Sequence, residues 1–273
     1  TAGRCCPQSV VVVERYNQQV VAQEKTFMKT GHMNIPVEKV QANLQQTKTT
    51  RPKLVLVACG AFSPITNMHL WLFEMAKNYL ENVVETHEIV GGIISPVHDH
   101  YHQTGMVSAK HRVAMCEAAV ASSSWLSVSR WEVEQKDYTL TGFVLDTYHE
   151  AVNNLRKNEE GHIEVKLLCG SDTLETMLTE KWKPLSRQRT LEYGIVCIAR
   201  PGIDTETIIF ENDVLYHARK SIIVVPNLIL NYLSASLVRR IVQRGMSVRY
   251  LVPEAVEQYI VKHRVFSSPT SRL

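Results

Sequence analysis

The sequence predicts an α/β fold: a doubly wound parallel sheet of about six strands, followed by a C-terminal helical segment. Six short, nearly continuous apolar runs recur along the 273 residues, as strands buried on both faces of a parallel sheet require. Helix-length amphipathic stretches separate these runs, and such alternation is typical of doubly wound sheets. A hydrophobic content of 45% with 21% charged residues supplies enough apolar surface for a globular core.

The predicted strands share a β-branched, apolar composition: Leu54–Cys59, Ile89–Ser95, Leu126–Ser129, Ile163–Cys169, Ile195–Ala199 and Ile222–Val225. The predicted helices share an amphipathic pattern: Met68–Leu80, Ser108–Ser122, Thr139–Leu155, Asp172–Leu178, Ala235–Arg244 and Pro253–His263. A proline is favoured at the first position of a helix, as in the last of these. In sheets of this kind, ligands bind beyond the carboxyl ends of the strands, near the point where the strand order reverses.

The composition divides the chain into a domain and two flanking segments. Residues 1–52 are rich in Gln, Thr, Val and Lys and end in a polar run. This composition predicts a flexible or partly helical N-terminal extension, with a candidate helix around Val20–Met28. The domain is predicted at 53–267 and a short tail at 268–273.

Charge, apolar runs and cysteines exclude several classes of protein. A net charge of +3, from 30 basic and 27 acidic residues, gives no reason to expect nucleic-acid binding. The apolar runs fall short of the ~20 residues of a membrane span. The six cysteines form no paired CxxC motifs, so we expect no structural zinc site, and Cys59, Cys169 and Cys197 should be buried. No secretory signal is visible, so we expect an intracellular protein of the nucleus or cytoplasm, with the mitochondrion left open.

The first candidate site segment follows the first strand. Gly60 and Ala61 allow a ligand to approach the backbone. A helix starting near Asn67 would direct its free N–H groups at an anion, and His69 in its first turn would add a side-chain donor. The alternative for His69 is a capping or surface histidine. The segment does not match GxGxxG, so it does not support a dehydrogenase site.

A second candidate segment lies near the C-terminus. Ser236 is predicted to be the N-cap of the following helix, which would place Arg239 in its first turn. Residues 231–250 hold four arginines and no acidic residue. A helix N-terminus, a hydroxyl and a guanidinium together suit a polyphosphate. The alternative is a solvated basic helix face.

Several blocks in order connect these segments to a known family. The blocks are Ala58–Glu74, Gly92–Tyr101, His111–Arg112, Trp131–Glu132, Leu167–Asp172, Tyr193–Arg200, and Leu233–Arg240 with Ser247–Leu251. Together they resemble the eukaryotic nicotinamide-mononucleotide adenylyltransferases of the HxGH nucleotidyltransferase superfamily. In this resemblance Thr66-x-x-His69 is the local form of the signature. The resemblance extends from Leu54 to Phe266 and implies a Rossmann-like fold.

The resemblance implies adenylyl transfer from ATP to nicotinamide mononucleotide, and to nicotinic acid mononucleotide, giving the dinucleotide and pyrophosphate. The attacking phosphate is already an anion, so catalysis would depend on positioning and charge stabilisation. Mg²⁺ would enter with ATP by bridging its phosphates. We also expect a homo-oligomer, no resident metal site and no nucleic-acid partner.

The resemblance implies roles for individual residues, with His69 and Arg239 as the catalytic pair. The implied ATP-binding residues are Gly60, Ala61, His69, Gly170, Asp172, Ser236, Leu237, Val238 and Arg239. The implied residues for the mononucleotide and the dinucleotide are Ala61, Phe62, Tyr138, Thr141, Gly170, Asp172, Lys181, Trp182, Arg200 and Asn231. Tyr138 and Trp182 would stack on either face of the cationic pyridinium ring. The alternative for Trp182 is a core anchor, which is the role we predict for Trp131.

Three departures from the family pattern bear on efficiency rather than on fold. The lysine-rich turn expected after the second strand is Tyr101–Gly105 here, without a lysine. Ala61 replaces a common serine, and the block before Trp182 is one residue short. Loss of one preorganised donor typically costs ~10²–10³ in rate.

Three histidines, His98, His100 and His102, crowd the altered turn, and Lys110 follows. They are able to supply charge below neutral pH. The alternatives are a plain polar loop and, as a minor one, a metal site. Two functional alternatives also stay open: a weakly catalytic, protein-binding or chaperone-like member, and a nucleotidyltransferase for another phosphorylated acceptor.

Overall fold

A computed structural model of the protein describes residues 35–47, 49–156, 161–227, 229 and 231–267. All of these belong to the second of two compact units, Asn34–Leu273. The candidate helix around Val20–Met28 and the tail at 268–273 lie outside the described residues.

The sheet has six parallel strands in the order β3-β2-β1-β4-β5-β6. Their bounds are β1 Lys53–Gly60, β2 Glu88–Pro96, β3 Leu126–Val128, β4 Ile163–Gly170, β5 Ile195–Ile198 and β6 Ile222–Val225. All six predicted strands are confirmed. The order reverses between β1 and β4, so the switch point lies at their carboxyl ends.

Ten α-helices occur among the described residues. They are α1 Glu38–Leu44, α2 Asn67–Asn78, α3 Ala109–Val120, α4 Thr141–Asn153, α5 Ser171–Met177, α6 Pro184–Tyr193, α7 Thr205–Glu211, α8 Asp213–His217, α9 Ala235–Gln243 and α10 Glu254–His263. The six predicted helices are confirmed, and α2 runs on into a π-helical turn at Tyr79–Val83. The described helices include none with the length and apolar character needed to cross a membrane.

Two hydrophobic cores lie on opposite faces of the sheet, which confirms the doubly wound fold. Alternate residues of β1 separate between them: Leu54 and Leu56 pack in one core, and Val55 and Val57 in the other. Trp131 is 6% exposed and belongs to the second core, as predicted. Of the three cysteines predicted to be buried, two are buried and the one in β1 is half-buried.

Helix α1 places part of the predicted extension on the domain. Val40 is buried, and a Cβ added to Gly91 in β2 would come within 2.6 Å of its Cγ2 atom. Lys39 Nζ donates to the carbonyl oxygens of Ser123 and Leu126, both at 2.6 Å. The compact unit therefore begins before the predicted boundary at 52/53. One buried residue in seven gives no helical periodicity from which to predict this helix.

Candidate active site

The candidate site lies at the carboxyl edge of the sheet. Gly60 ends β1, Gly170 ends the adjacent β4, and Arg200 follows β5 by two residues. Helices α2 and α5 start shortly after these strand ends. The edge therefore combines the switch point with two helix N-termini, the usual location of a nucleotide in this class of fold.

The turn after β1 has a strained and closely packed backbone. Phe62 has a φ of 45° and is buried, and a Cβ on Gly60 would lie 3.3 Å from its ring. The Phe62 ring also meets His69 edge-on, with 5.3 Å between centroids. A non-glycine residue in the left-handed region costs energy and is characteristic of functional sites.

His69 caps helix α2 and keeps a donor available. Its Nδ1 atom accepts the N–H of Thr66 at 3.0 Å within a capping box. Because Nδ1 accepts, the neutral ring carries its proton on Nε2. Burial, with a further contribution from the charge of Arg200, lowers the pKa of His69 to about 4. At neutral pH the side chain is therefore an uncharged Nε2–H donor, and the capping role does not exclude a phosphate contact.

Gly170, Asp172 and Arg200 form a tight group at the ends of β4 and β5. Arg200 Nε lies 3.2 Å from Asp172 Oδ1, and the Arg200 N–H donates to Ser171 Oγ at 3.0 Å. A Cβ on Gly170 would lie 2.6 Å from Asp172 Oδ1 and 2.9 Å from Arg200 Nε. The ion pair therefore requires glycine at this position, and Asp172, which is exposed, retains acceptor capacity for a hydroxyl group.

Helix α9 begins two residues earlier than the N-cap prediction. Ser234, not Ser236, is the N-cap, and its Oγ accepts the N–H of Leu237 at 3.2 Å. Ser234 has the extended backbone that an N-cap needs, whereas Ser236 is already helical. The N–H of Val238 also donates to the Ser234 carbonyl oxygen, and the Val238 side chain is buried. The backbone N–H groups of Leu237 and Val238 thus both have partners within the helix start, and their contact with phosphate stays a prediction.

Arg239 connects helix α9 to two loops at the sheet edge. Its guanidinium donates to the carbonyl oxygens of Ser63 at 2.8 Å and Thr104 at 3.1 Å, and to Ser236 Oγ at 3.1 Å. Gly105 has a φ of 75°, and a Cβ there would lie 2.8 Å from Arg239 Nε. A half-buried cation thus joins α9 to the turns after β1 and β2.

Tyr138 lies beside Tyr101 of the turn after β2. Its ring lies 5.3 Å from that of Tyr101, centroid to centroid. Burial raises the pKa of the Tyr138 phenol, Glu132 and Cys59 add to this effect, and a hydrogen bond with Thr141 opposes it. Tyr138 and Thr141 are therefore neighbours, and their contact with the mononucleotide stays a prediction.

Trp182 packs as the core alternative predicts, and its stacking on the pyridinium ring stays a prediction. It is half-buried and packs against the second core, and its Nε1 donates to Thr176 Oγ1 at 3.3 Å. The adjacent Lys181 is exposed, and its backbone N–H donates to Thr179 Oγ1. Asn231 is exposed in the loop before α9, and its side chain accepts the N–H two residues further on. The structure records no contact that joins Lys181 or Asn231 to His69 or Arg239 among the described residues.

Arg112 is a positioning residue to which the sequence analysis assigned no role. Its side chain is fully buried and donates to the carbonyl oxygens of Ala61 at 3.0 Å, Val97 at 2.6 Å and Val107 at 2.9 Å. It also pairs with Asp99 at 2.8 Å. The only sequence signal was its place in the His111–Arg112 block. Through Ala61 it fixes the turn that carries the strained backbone.

Comparisons with known proteins agree with this geometry. The cytidylyltransferase-like family matches residues 57–241. Nicotinamide/nicotinic acid mononucleotide adenylyltransferase 1 of Bos taurus is 39% identical over 254 residues, which cover 80% of this chain and 90% of that protein. Nicotinamide/nicotinic acid mononucleotide adenylyltransferase of Oryza sativa subsp. japonica is 38% identical over 242 residues, which cover 88% of this chain and 96% of that protein.

A solved structure shares the fold. Plasmodium falciparum nicotinic acid mononucleotide adenylyltransferase complexed with NaAD has a TM-score of 0.56 at 19% identity, covering 78% of this chain and 97% of that chain. The family match covers more than half of the chain, and the bovine and rice relatives align over most of their length. The chain therefore belongs to the nicotinamide/nicotinic acid mononucleotide adenylyltransferases, within the cytidylyltransferase-like nucleotidyltransferases.

Proposed function

We propose that the chain transfers the adenylyl group of ATP to nicotinamide mononucleotide, giving NAD and pyrophosphate, and that it also accepts nicotinic acid mononucleotide. The observation that carries this proposal is the convergence of Gly60, Gly170 and the His69 Nε2–H donor at the switch point. The names of the relatives, which include both mononucleotides, support both acceptors.

The reaction is an in-line displacement at the α-phosphorus. An oxygen of the mononucleotide 5′-phosphate forms the new P–O bond, and the bond from the α-phosphorus to the bridging oxygen breaks. Pyrophosphate leaves with the electron pair. The nucleophile carries its own negative charge, so no residue needs to act as a general base, and positioning with charge stabilisation supplies the rate.

In this proposal His69 Nε2–H donates to phosphate oxygens, and Arg239 supplies the positive charge. Two N–H groups of the Arg239 guanidinium already donate to the carbonyl oxygens of Ser63 and Thr104. Arg239 therefore also holds the turns after β1 and β2 in place. Mg²⁺ would enter bound to ATP and neutralise phosphate charge. Asp99 and Asp172, which follow β2 and β4, are paired with arginines and are not arranged as a separate cation site.

The mononucleotide would lie between Tyr138 and Trp182, with its cationic pyridinium ring against the faces of their aromatic rings. Asp172 would accept hydrogen bonds from ribose hydroxyl groups, and Arg200 would hold its carboxylate in place. Assembly into a homo-oligomer stays a prediction, which sedimentation velocity would measure.

The test is the formation of NAD from ATP and nicotinamide mononucleotide with Mg²⁺. We expect His69→Ala and Arg239→Ala each to lower kcat by ~10²–10³, as removal of one preorganised donor does. The exposed His217→Ala and Arg244→Ala are the matched controls and should keep wild-type rates. Circular dichroism separates lost chemistry from lost folding in Arg239→Ala.

One outcome would overturn the proposed reaction, and another would overturn the roles assigned to His69 and Arg239. Wild-type protein that binds ATP but forms no dinucleotide would favour the chaperone-like or alternative-acceptor hypotheses. Full activity in both His69→Ala and Arg239→Ala would show that the phosphates are held elsewhere.

A further inference from the structure

The turn after β2 and the loop before α4 bring two imidazoles and a carboxylate together. His100 Nδ1 lies 2.8 Å from Asp137 Oδ1, and the rings of His98 and His100 meet edge-on with 4.5 Å between centroids. One nitrogen or oxygen atom from each of the three side chains lies within 4.8 Å of the others. His98 and His100 lie shortly after the end of β2, and Asp137 lies in the loop before α4.

This donor set suits a borderline divalent ion rather than Mg²⁺. Imidazole nitrogen with one carboxylate is a common ligand set for Zn²⁺ and its neighbours, whereas Mg²⁺ prefers oxygen. Bonds of about 2.0–2.1 Å in a tetrahedral site place ligand atoms about 3.3 Å apart. The three side chains are thus within about an ångström or two of a binding arrangement. Because His100 and Asp137 are exposed, they are able to close that distance by side-chain rotation.

One surrounding hydrogen bond favours this arrangement, and another must be replaced when the ion binds. Asp137 Oδ1 accepts the N–H of Tyr138 at 2.7 Å, which orients the carboxylate. His98 Nδ1 accepts the N–H of His100 at 3.1 Å. Metal binding by His98 requires this bond to break or the ring to turn, and water is at hand to replace the lost partner at this exposed turn.

We propose that His98, His100 and Asp137 bind one Zn²⁺-class divalent ion, separate from the Mg²⁺ that enters with ATP, with water completing the coordination. The ion connects the turn after β2 to the loop before α4. Tyr101 and Tyr138 are each adjacent to a ligand in the chain, and their tilted rings lie 5.3 Å apart, centroid to centroid, so the ion also fixes this aromatic pair. Metal binding by these three side chains does not depend on the proposed reaction.

The test is Zn²⁺ binding by the full chain, measured by equilibrium dialysis. Cys5 and Cys6 offer adjacent thiols, so all proteins are compared in a Cys5→Ser, Cys6→Ser background. His100→Ala and Asp137→Asn should each weaken binding at one site by at least ~10-fold, since even outer partners of a ligand cost 10–100-fold. Both side chains are exposed, so both variants should fold.

Two control variants distinguish this site from other histidines. His217→Ala removes an exposed histidine outside the cluster and should leave Zn²⁺ binding unchanged. His149→Ala disrupts the competing pair, in which the Nε2 atoms of His149 and His162 lie 3.0 Å apart. Equal binding in wild type and His100→Ala, or loss of that binding in His149→Ala instead, would overturn the proposal.

A second measurement separates specific binding from weak surface association. Zn²⁺ should raise the unfolding temperature of the wild type but not that of Asp137→Asn, because an ion that binds the folded state stabilises it by mass action. Mg²⁺ without ATP should give no such difference between the two proteins. An equal Zn²⁺ effect in both would rule out Asp137 as a ligand and contradict the proposal.

Discussion

The carboxyl group of Glu132 is a buried titratable group beneath the candidate site. It is 1% exposed and accepts a hydrogen bond from Ser95 Oγ at 2.7 Å, and the same hydroxyl lies 2.7 Å from Tyr148 OH. Burial raises the pKa of Glu132 from 4.5 to about 8, against the lowering effects of Ser95 and Arg112. A protonated carboxyl group is therefore part of the folded structure at neutral pH.

We predict that Glu132 makes stability fall with rising pH. Between pH 5 and pH 8 the unfolded side chain is ionised while the folded one keeps its proton, so unfolding releases a proton and higher pH favours it. The free energy of unfolding of the wild type should fall relative to Glu132→Gln across this range, by up to about 1.4 kcal/mol per unit of pKa shift. Urea unfolding of both proteins at each pH measures this difference in the free energy of unfolding.

The exposed Glu175→Gln is the control for this pH series, and its difference from the wild type should stay flat. A constant difference between the wild type and Glu132→Gln from pH 5 to pH 8 would show that Glu132 ionises normally in the folded chain.

His69 shows what the sequence indicates about one residue and what it leaves open. The spacing Thr66-x-x-His69 at a helix start predicts both a cap and a phosphate donor, and these two interpretations looked like alternatives. The structure assigns the cap to Nδ1, which leaves Nε2 as a donor. The choice of tautomer depends on the position of one backbone N–H, and no sequence pattern carries that information.

At the scale of the helix, the two serines at the start of α9 offer a matched test. Ser234 Oγ caps the helix through the N–H of Leu237, whereas Ser236 Oγ accepts from Arg239. We predict that Ser234→Ala lowers the free energy of unfolding by ~1 kcal/mol, the typical cost of a lost N-cap. Ser236→Ala should change it by less than half as much. Urea denaturation of both variants measures these changes. A larger loss of stability in Ser236→Ala than in Ser234→Ala would show that Ser236 is the N-cap.

Helix α1 gives a second test at this scale, through its contact with β2. Val40→Ala should cost roughly 1.5–2 kcal/mol, because it removes buried methyl groups. Gly91→Ala should cost ~1–3 kcal/mol, because its new Cβ would lie 2.6 Å from Val40 Cγ2. In the double variant that atom is gone, so the combined loss should be smaller than the sum by at least ~0.5 kcal/mol. Additive losses would show that α1 does not pack on β2.

Helix α6 shows why a helix can escape prediction from the sequence. Residues 184–193 form α6, but their sequence is mainly polar and buries few side chains, chiefly Ser186, Thr190 and Leu191. The apolar periodicity that revealed α2 and α4 is absent there. The strands were predictable because each is an apolar run buried on both faces, a pattern that depends little on what packs around it.

At the scale of the whole molecule, the sheet assembles one site from distant segments. The strand order places the ends of β1, β4 and β5 side by side, so His69, Asp172 and Arg200 share one edge of the sheet although about 130 residues separate the first from the last. Strand–helix alternation predicts this edge. It does not predict that Arg200 pairs with Asp172 or that its charge acts on His69, because those contacts depend on side-chain positions across three loops.

The action of Arg200 on His69 yields a prediction about this assembled edge. Arg200→Ala should raise the pKa of His69 above its wild-type value of about 4, because a nearby positive charge disfavours the imidazolium form. The pKa should stay below 6.5, since burial is the larger cause and remains. An NMR titration measures it, with His69→Gln to assign the signal and the exposed Arg219→Ala as control. An unchanged pKa in Arg200→Ala would mean that β5 does not bring its arginine to the β1 turn in solution, and that the edge is less closely assembled than the sheet order implies.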